Sequence, residues 1–161
     1  LGKHTLKIEY DFDFVLIGIS SHEKDYRLCW ALNNVLDIDL TKTESLEIKS
    51  KKQIVPSFFS LFMYENTDEF VEYFVIANQS ENKLVASKTN TLFVKGAKES
   101  QTTDGILIPE HKQMDYFFVI RGEVDEEKTD ELIKKIKEID LVLAAARIDV
   151  TALKSKANLI F

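Results

Sequence analysis

At 161 residues the chain has the size of one ordinary domain, and 45% hydrophobic with 30% charged residues is the balance of a globular protein. A net charge of −6 leaves no phosphate-neutralising excess, which argues against broad binding to nucleic acid or anionic membranes. The single cysteine, Cys29, excludes an internal disulfide, and no apolar run approaches the roughly 18 residues of a membrane-spanning helix.

Alternation opens the chain. From Leu6 to Leu16 every even position is apolar, while Lys7, Glu9, Asp11 and Asp13 hold odd positions. That predicts a strand with one buried face rather than a signal peptide. At 14–19 both faces become apolar, as in a strand covered on both sides, and the combined length implies a bend near Asp11 to Asp13.

A helix is predicted next. Ser20 or Ser21 can cap it, and Ser20 with Glu23 has the reciprocal capping spacing. Leu28, Cys29, Ala31, Leu32, Val35 and Leu36 share one apolar arc, so Cys29 reads as an inert core thiol. Glu23, Arg27, Trp30 and Asn34 fall opposite. An indole on a polar helix face has no packing role there. Arg27, Trp30 and Asn34 therefore form a candidate interaction patch, with Arg27 and Trp30 spaced to stack as a cation–π pair. The competing expectation is that a loop or the apolar-ended segment 154–161 folds over Trp30.

Strand-like stretches follow at 45–50, 56–64 and 69–78, with Pro56 marking entry to the second and a polar hairpin link at 65–69. A short strand is suggested at 84–87 or 91–94. Residues 95–105 carry one apolar side chain, Ala97, and read as a mobile surface loop. Lys49, Lys51 and Lys52 make a small basic cluster, Lys154 and Lys156 another, and Phe58, Phe59 and Phe62 raise an RNA-binding reading. Against it, strand phenylalanines belong to cores and loop lysines are ordinarily solvated.

The densest chemistry lies at 107–120. Glu110 and Asp115 could divide acid and base roles, with His111 as shuttle or ligand. Turn chemistry needs less: Pro109 cannot continue a ladder, Asp115 accepts turn amides, and Tyr116 opens a strand with its hydroxyl on a polar partner. Because the corner accounts for every one of these residues, a structural role is the expectation and no catalytic residue is predicted. Residues 115–122 then predict a central strand. Residues 123–139 predict a helix with Leu132, Ile133, Ile136 and Ile139 on one face, acids early and lysines late. A closing strand at 141–148 competes with a helical continuation, and Ala144, Ala145 and Ala146 suit close packing or room for a ligand. Strand, helix, strand implies a right-handed crossover between parallel neighbours.

Together these elements predict one α+β domain over 1–161. Its sheet is antiparallel or mixed, with two main helices on one face and a ferredoxin-like βαβ theme around an expanded β-meander.

Ile108-Pro109-Glu110 followed by Asp115-Tyr116 resembles the signature of the bacterial IPExxxVDY family, with Met114 in place of Val, an exchange that apolar packing tolerates. Segments 20–33 and 153–161 are similar to that family as well; the middle of the chain carries no mark of it. The resemblance implies a whole-chain cytosolic family and supplies no catalytic residue.

His4, His22 and His111 are scattered, and no P-loop or GxGxxG occurs, so neither a metal nor a cofactor is predicted. The leading expectation is a cytoplasmic, non-enzymatic accessory or adaptor acting by protein–protein contact. A homo-oligomer through an exposed strand edge is the other association considered. The alternative is a small-metabolite-binding regulatory domain, and the third an RNA-binding protein or an enzyme using Glu110 and Asp115.

Overall fold

The computed structural model describes residues 12–51, 54–82 and 105–161. In chain order the elements are β1 (Phe14–Ser20), α1 (Asp25–Leu36), β2 (Thr41–Lys42), β3 (Leu46–Ile48), β4 (Ser57–Phe59), β5 (Leu61–Asn66), β6 (Val71–Ala77), β7 (Tyr116–Arg121), α2 (Glu126–Lys137) and β8 (Ala144–Ile148). Six strands form one sheet in the order β2-β5-β6-β7-β1-β8, and β3 pairs with β4 apart from it. Every pairing is antiparallel.

The fold is α+β, with both helices on one face. The crossover differs from expectation. β7 and β8 are parallel to each other, but β1 stands between them and pairs antiparallel with both. A strand–helix–strand succession fixes relative direction without fixing adjacency. β1, apolar on both faces, takes the gap. The same happens at β1, α1 and β6, which enclose β7. Two such split units interlock in a ferredoxin-like arrangement, extended at the β6 side by β5 and β2.

Period-2 burial gives the sheet two cores. Ile17, Ile19, Tyr73, Val75, Phe118 and Ile120 face the helices, where they meet Leu28, Leu32 and Ile136. Leu16, Phe74, Ile76, Phe117 and Val119 face the other way and are covered without an α-helix, by Phe59, Leu107, Ile108, Val150, Leu153 and Leu159. Each fully buried side chain of this kind stabilises the fold by roughly 1.5–3 kcal/mol. Ala145 lies in the helix-side core, whereas Ala144 and Ala146 are exposed.

Segment 150–161 belongs to the second core, which corrects the idea that it folds over Trp30. The Phe161 ring meets Phe74 edge-on at 5.1 Å. The Arg121 guanidinium lies over both rings, at 4.7 and 4.3 Å, and donates to the carbonyls of Leu159 and Phe161 at 3.1 Å each. The sheet face away from the helices needed a cover, and Leu153 and Leu159 supply it.

Two local expectations change. Neither Ser20 nor Ser21 caps α1; Lys24 occupies the N-cap without a side-chain bond. The Ser20 hydroxyl donates to Asp115 at 3.2 Å and that of Ser21 to the Leu141 carbonyl at 2.6 Å, so tertiary partners outcompete the local ones. The strand expected at 56–64 breaks at Ser60, separating β4 from β5. There the Ser60 carbonyl accepts from the Ala77 amide while its hydroxyl turns to Asp25. β2 is too short to leave a periodic pattern. By contrast α2 is capped by Asp125, which accepts from the Lys128 amide at 2.7 Å. The strand pattern at 6–11, the short strand at 84–87 or 91–94, and 95–104 of the expected loop lie outside the described residues.

Candidate functional site

The motif segment between β6 and β7 is organised by a side chain that carried no signal in the sequence. Asn78 is buried at the end of β6. Its Oδ1 accepts from the Ile108 amide at 2.9 Å, and its Nδ2 donates to the carbonyls of His111 at 3.1 Å and Met114 at 2.8 Å. A single amide thus satisfies three backbone groups of a turn that has no ladder of its own.

From that hub the motif side chains reach different parts of the chain. Pro109 opens a 3-10 turn, Pro109–His111, where its missing amide hydrogen costs nothing. Glu110 accepts from the Lys154 and Ser155 amides at 2.6 and 2.9 Å and from the Ser155 hydroxyl at 2.7 Å. Asp115 Oδ2 accepts from the Ser21 amide at 2.8 Å and from the Ser20 hydroxyl. The Tyr116 hydroxyl donates to the Glu23 carbonyl at 2.5 Å. Burial first, then Asp25 and Asp115, push the Tyr116 hydroxyl well above its ordinary value, which keeps it a donor. Met114 lies against Gly18 of β1: a Cβ there would come within 2.8 Å of Met114 Cγ and of Ile148 Cδ1. Glu110 therefore holds segment 154–155, while Asp115 and Tyr116 hold the β1–α1 connection. The two carboxylates serve separate partners.

The Glu110 clamp has a pH dependence with a definite sign. Desolvation pushes its carboxyl up, but the bonds from Ser155 and Lys154 outweigh that and leave it below its ordinary value. A lowered carboxylate stabilises the fold above its unfolded pKa and loses that contribution as pH falls through the folded one. Glu110→Gln is expected to cost about 0.5–1 kcal/mol at pH 7, a small value because the group is mostly solvated. It should also flatten the acid limb below about pH 4.5 in urea unfolding followed against pH. An unchanged acid limb counts against the clamp.

Beside this scaffold a cavity of about 660 Å³ opens where β1 and β6 end, β7 begins and the N-terminus of α1 arrives. That volume lies within the roughly 300–1,000 Å³ of small-molecule sites. On its wall, the buried Ser60 hydroxyl donates to Asp25 Oδ2 at 2.5 Å. Lys42 Nζ stands 3.6 Å from the same oxygen and 3.9 Å from Glu81 Oε1, which also accepts from Ser45 at 3.0 Å. Asp115, Tyr116, Met114 and Lys112 bring the motif to the opposite side. Ser60 gives its proton to a carboxylate already shared with a lysine, with no imidazole between them. This arrangement binds polar atoms; it is not the usual device for activating a nucleophile. Asp25, Lys42, Ser60, Asn78 and Glu81 escaped sequence reasoning because they converge only through the fold.

The residues singled out earlier are placed as follows. Trp30 is 69% exposed and Tyr26, one turn before it, 57%. Arg27 pairs with Glu23 at 2.8 Å instead of stacking on Trp30, and Asn34 Nδ2 donates to the Trp30 carbonyl at 2.8 Å. Among the described residues the cations over aromatic rings are Lys42, Arg121 and Lys156. Cys29 is buried, and burial followed by Asp25 pushes its thiol up to about 12, far from a thiolate at neutral pH. Of the histidines, His22 lies at the cavity, His111 Nδ1 is 3.4 Å from Gln113 Nε2, and His4 is outside the described residues. Among the described residues no group of three His, Cys, Asp or Glu side chains could hold a metal ion. Phe59 and Phe62 are buried in opposite cores and Phe58 is half-buried. Lys49 pairs with Glu47 at 3.2 Å, Lys51 is exposed, and Lys52 is outside the described residues.

No helix among the described residues is long and apolar enough to cross a membrane. Comparison with protein-family models, curated proteins and solved structures finds no match to this chain.

Proposed function

We propose that this chain is a non-enzymatic binding protein whose ligand is a small polar molecule held in the cavity at the end of the sheet. The observation that carries the reading is the convergence of Asp25, Lys42, Ser60, Glu81 and Asp115 on one hollow of about 660 Å³. Its walls come from five separate chain segments, so a ligand there would report on the alignment of α1 with the sheet, as a regulatory domain requires. Kinship with the IPExxxVDY family is part of the proposal and is supported by the motif residues and the likeness of segments 20–33 and 153–161. Thermal-shift screening against mixtures of small polar metabolites tests it: a ligand at 100 times its Kd raises stability by about 2.7 kcal/mol. A flat response to every mixture would remove the reading.

A second reading is favoured by the exposure of Trp30 and Tyr26 on successive turns of α1. Aromatic side chains of this kind anchor protein interfaces, and an adaptor would dock through them. Trp30→Ala is expected to change stability by less than about 0.5 kcal/mol while abolishing any complex seen by native mass measurement of material recovered from cell extract. Wild-type protein recovered alone defeats the adaptor role.

A further inference from the structure

The walls of the cavity carry both signs of charge, and the internal bonds show which groups are already engaged. Asp25 is occupied by Ser60 and Lys42. Glu81 engages Ser45 and Lys42 through Oε1, and among the described residues its Oε2 has no partner. Among the described residues Asp115 directs both of its side-chain bonds through Oδ2, which leaves Oδ1 uncommitted there. Lys24 and Lys112 line the same hollow, and among the described residues neither ammonium has an acidic partner. What remains is an oxygen each of Glu81 and Asp115, with Glu23 Oε1 on the same wall, and a pair of ammonium groups. A simple anion would satisfy the lysines and lie near Asp115 and near two carboxylates that share a single lysine, and a simple cation would do the reverse. Like-signed groups held close in a half-enclosed site repel more strongly than in water. A molecule bearing both charges meets both sets. Ala77, Ile106 and Met114 add an apolar stretch of wall that could take a short aliphatic group.

Building on the ligand-binding reading, we propose that the cavity takes a small zwitterion, with an ammonium and a carboxylate on one short aliphatic skeleton, the chemical class of α-amino acids. The carboxylate lies toward Lys24 and Lys112, and the ammonium toward Glu81 and Asp115.

Calorimetric titration of the wild-type protein with alanine, valine, methionine and glutamate tests this. Isovalerate, isobutylamine, inorganic phosphate and glycerol serve as probes with one charge or none. At least one amino acid is expected to bind, with single-charge and neutral probes weaker by tenfold or more. Lys112→Ala and Glu81→Gln, both at exposed or half-exposed positions, should each weaken that amino acid roughly three- to tenfold with melting temperature unchanged. Isovalerate, phosphate, isobutylamine or glycerol binding as tightly as every amino acid overturns the zwitterion and leaves the ligand-binding reading standing. Amino-acid binding untouched by both substitutions overturns the placement. Silence from every probe, together with a flat metabolite screen, overturns both.

Discussion

Asn78→Leu is expected to remove about 2–5 kcal/mol of stability, because the buried Ile108 amide and the part-buried Met114 carbonyl lose their partner at a cost of roughly 1–3 kcal/mol each, while the His111 carbonyl keeps the Met114 amide. Leucine nearly matches asparagine in size, so the loss reports on polarity rather than on a cavity. Against a typical total of about 5–15 kcal/mol, this leaves the chain barely folded. Asn78→Asp refines the argument. Its carboxylate still accepts from Ile108, but it sets an acceptor against the carbonyls of His111 and Met114. The folded state then favours the protonated acid, so the folded pKa rises above the unfolded one. The aspartate variant should be least destabilised in acid and lose stability as pH climbs through that interval. Urea unfolding at pH 4 and pH 7 reads both effects. A leucine variant within 1 kcal/mol of wild type would mean that the turn at 108–114 stands without its hub.

The second large effect is at Gly122, just past β7. Its φ of +123° lies where side chains are strained, and an added Cβ would stand 2.6 Å from the Phe70 carbonyl oxygen and 3.1 Å from Val71 Cα. Both neighbours are backbone and cannot swing away. Gly122→Ala is expected to cost about 2–5 kcal/mol, strain and overpacking together, and to lower Tm by roughly 5–15 °C. Gly18→Ala is the internal comparison. Its added Cβ meets only side-chain atoms, of Met114 and Ile148, and there is no strained dihedral. It should cost distinctly less. Equal losses in thermal melts would refute the distinction between yielding and unyielding neighbours.

The contrast between what was legible in the sequence and what was not follows from range. Apolarity on both faces of 14–19 and 116–120 marks two central strands, and the acid-to-lysine gradient of 126–137 marks a helix. Those signals lie within a few residues of one another. Adjacency in the sheet does not. No local pattern says that β1 separates β7 from β8, or that Ser20 bonds to Asp115 across 95 positions instead of capping the next helix. The role of Glu110 was hidden for the same reason, since its partners at 154–155 become neighbours only after the second core assembles. Asn78 had no mark beyond being polar at the end of an apolar strand. Trp30 stands out in both views because an indole on a polar helix face conflicts with amphipathic periodicity whatever the tertiary fold.

The position of β1 also has a kinetic corollary. The strand made first among the described elements is central to the sheet, yet its hydrogen-bonding neighbours are β7 and β8, the last two strands made. Ribosome-bound intermediates holding only the first half of the chain would keep β1 without a partner, its apolar edge open to chaperones or to other nascent chains. Closing such distant pairings is slow for a domain of this length. Refolding in the millisecond-to-second range, with β1 amides protected late in pulsed hydrogen exchange, is the behaviour this topology imposes.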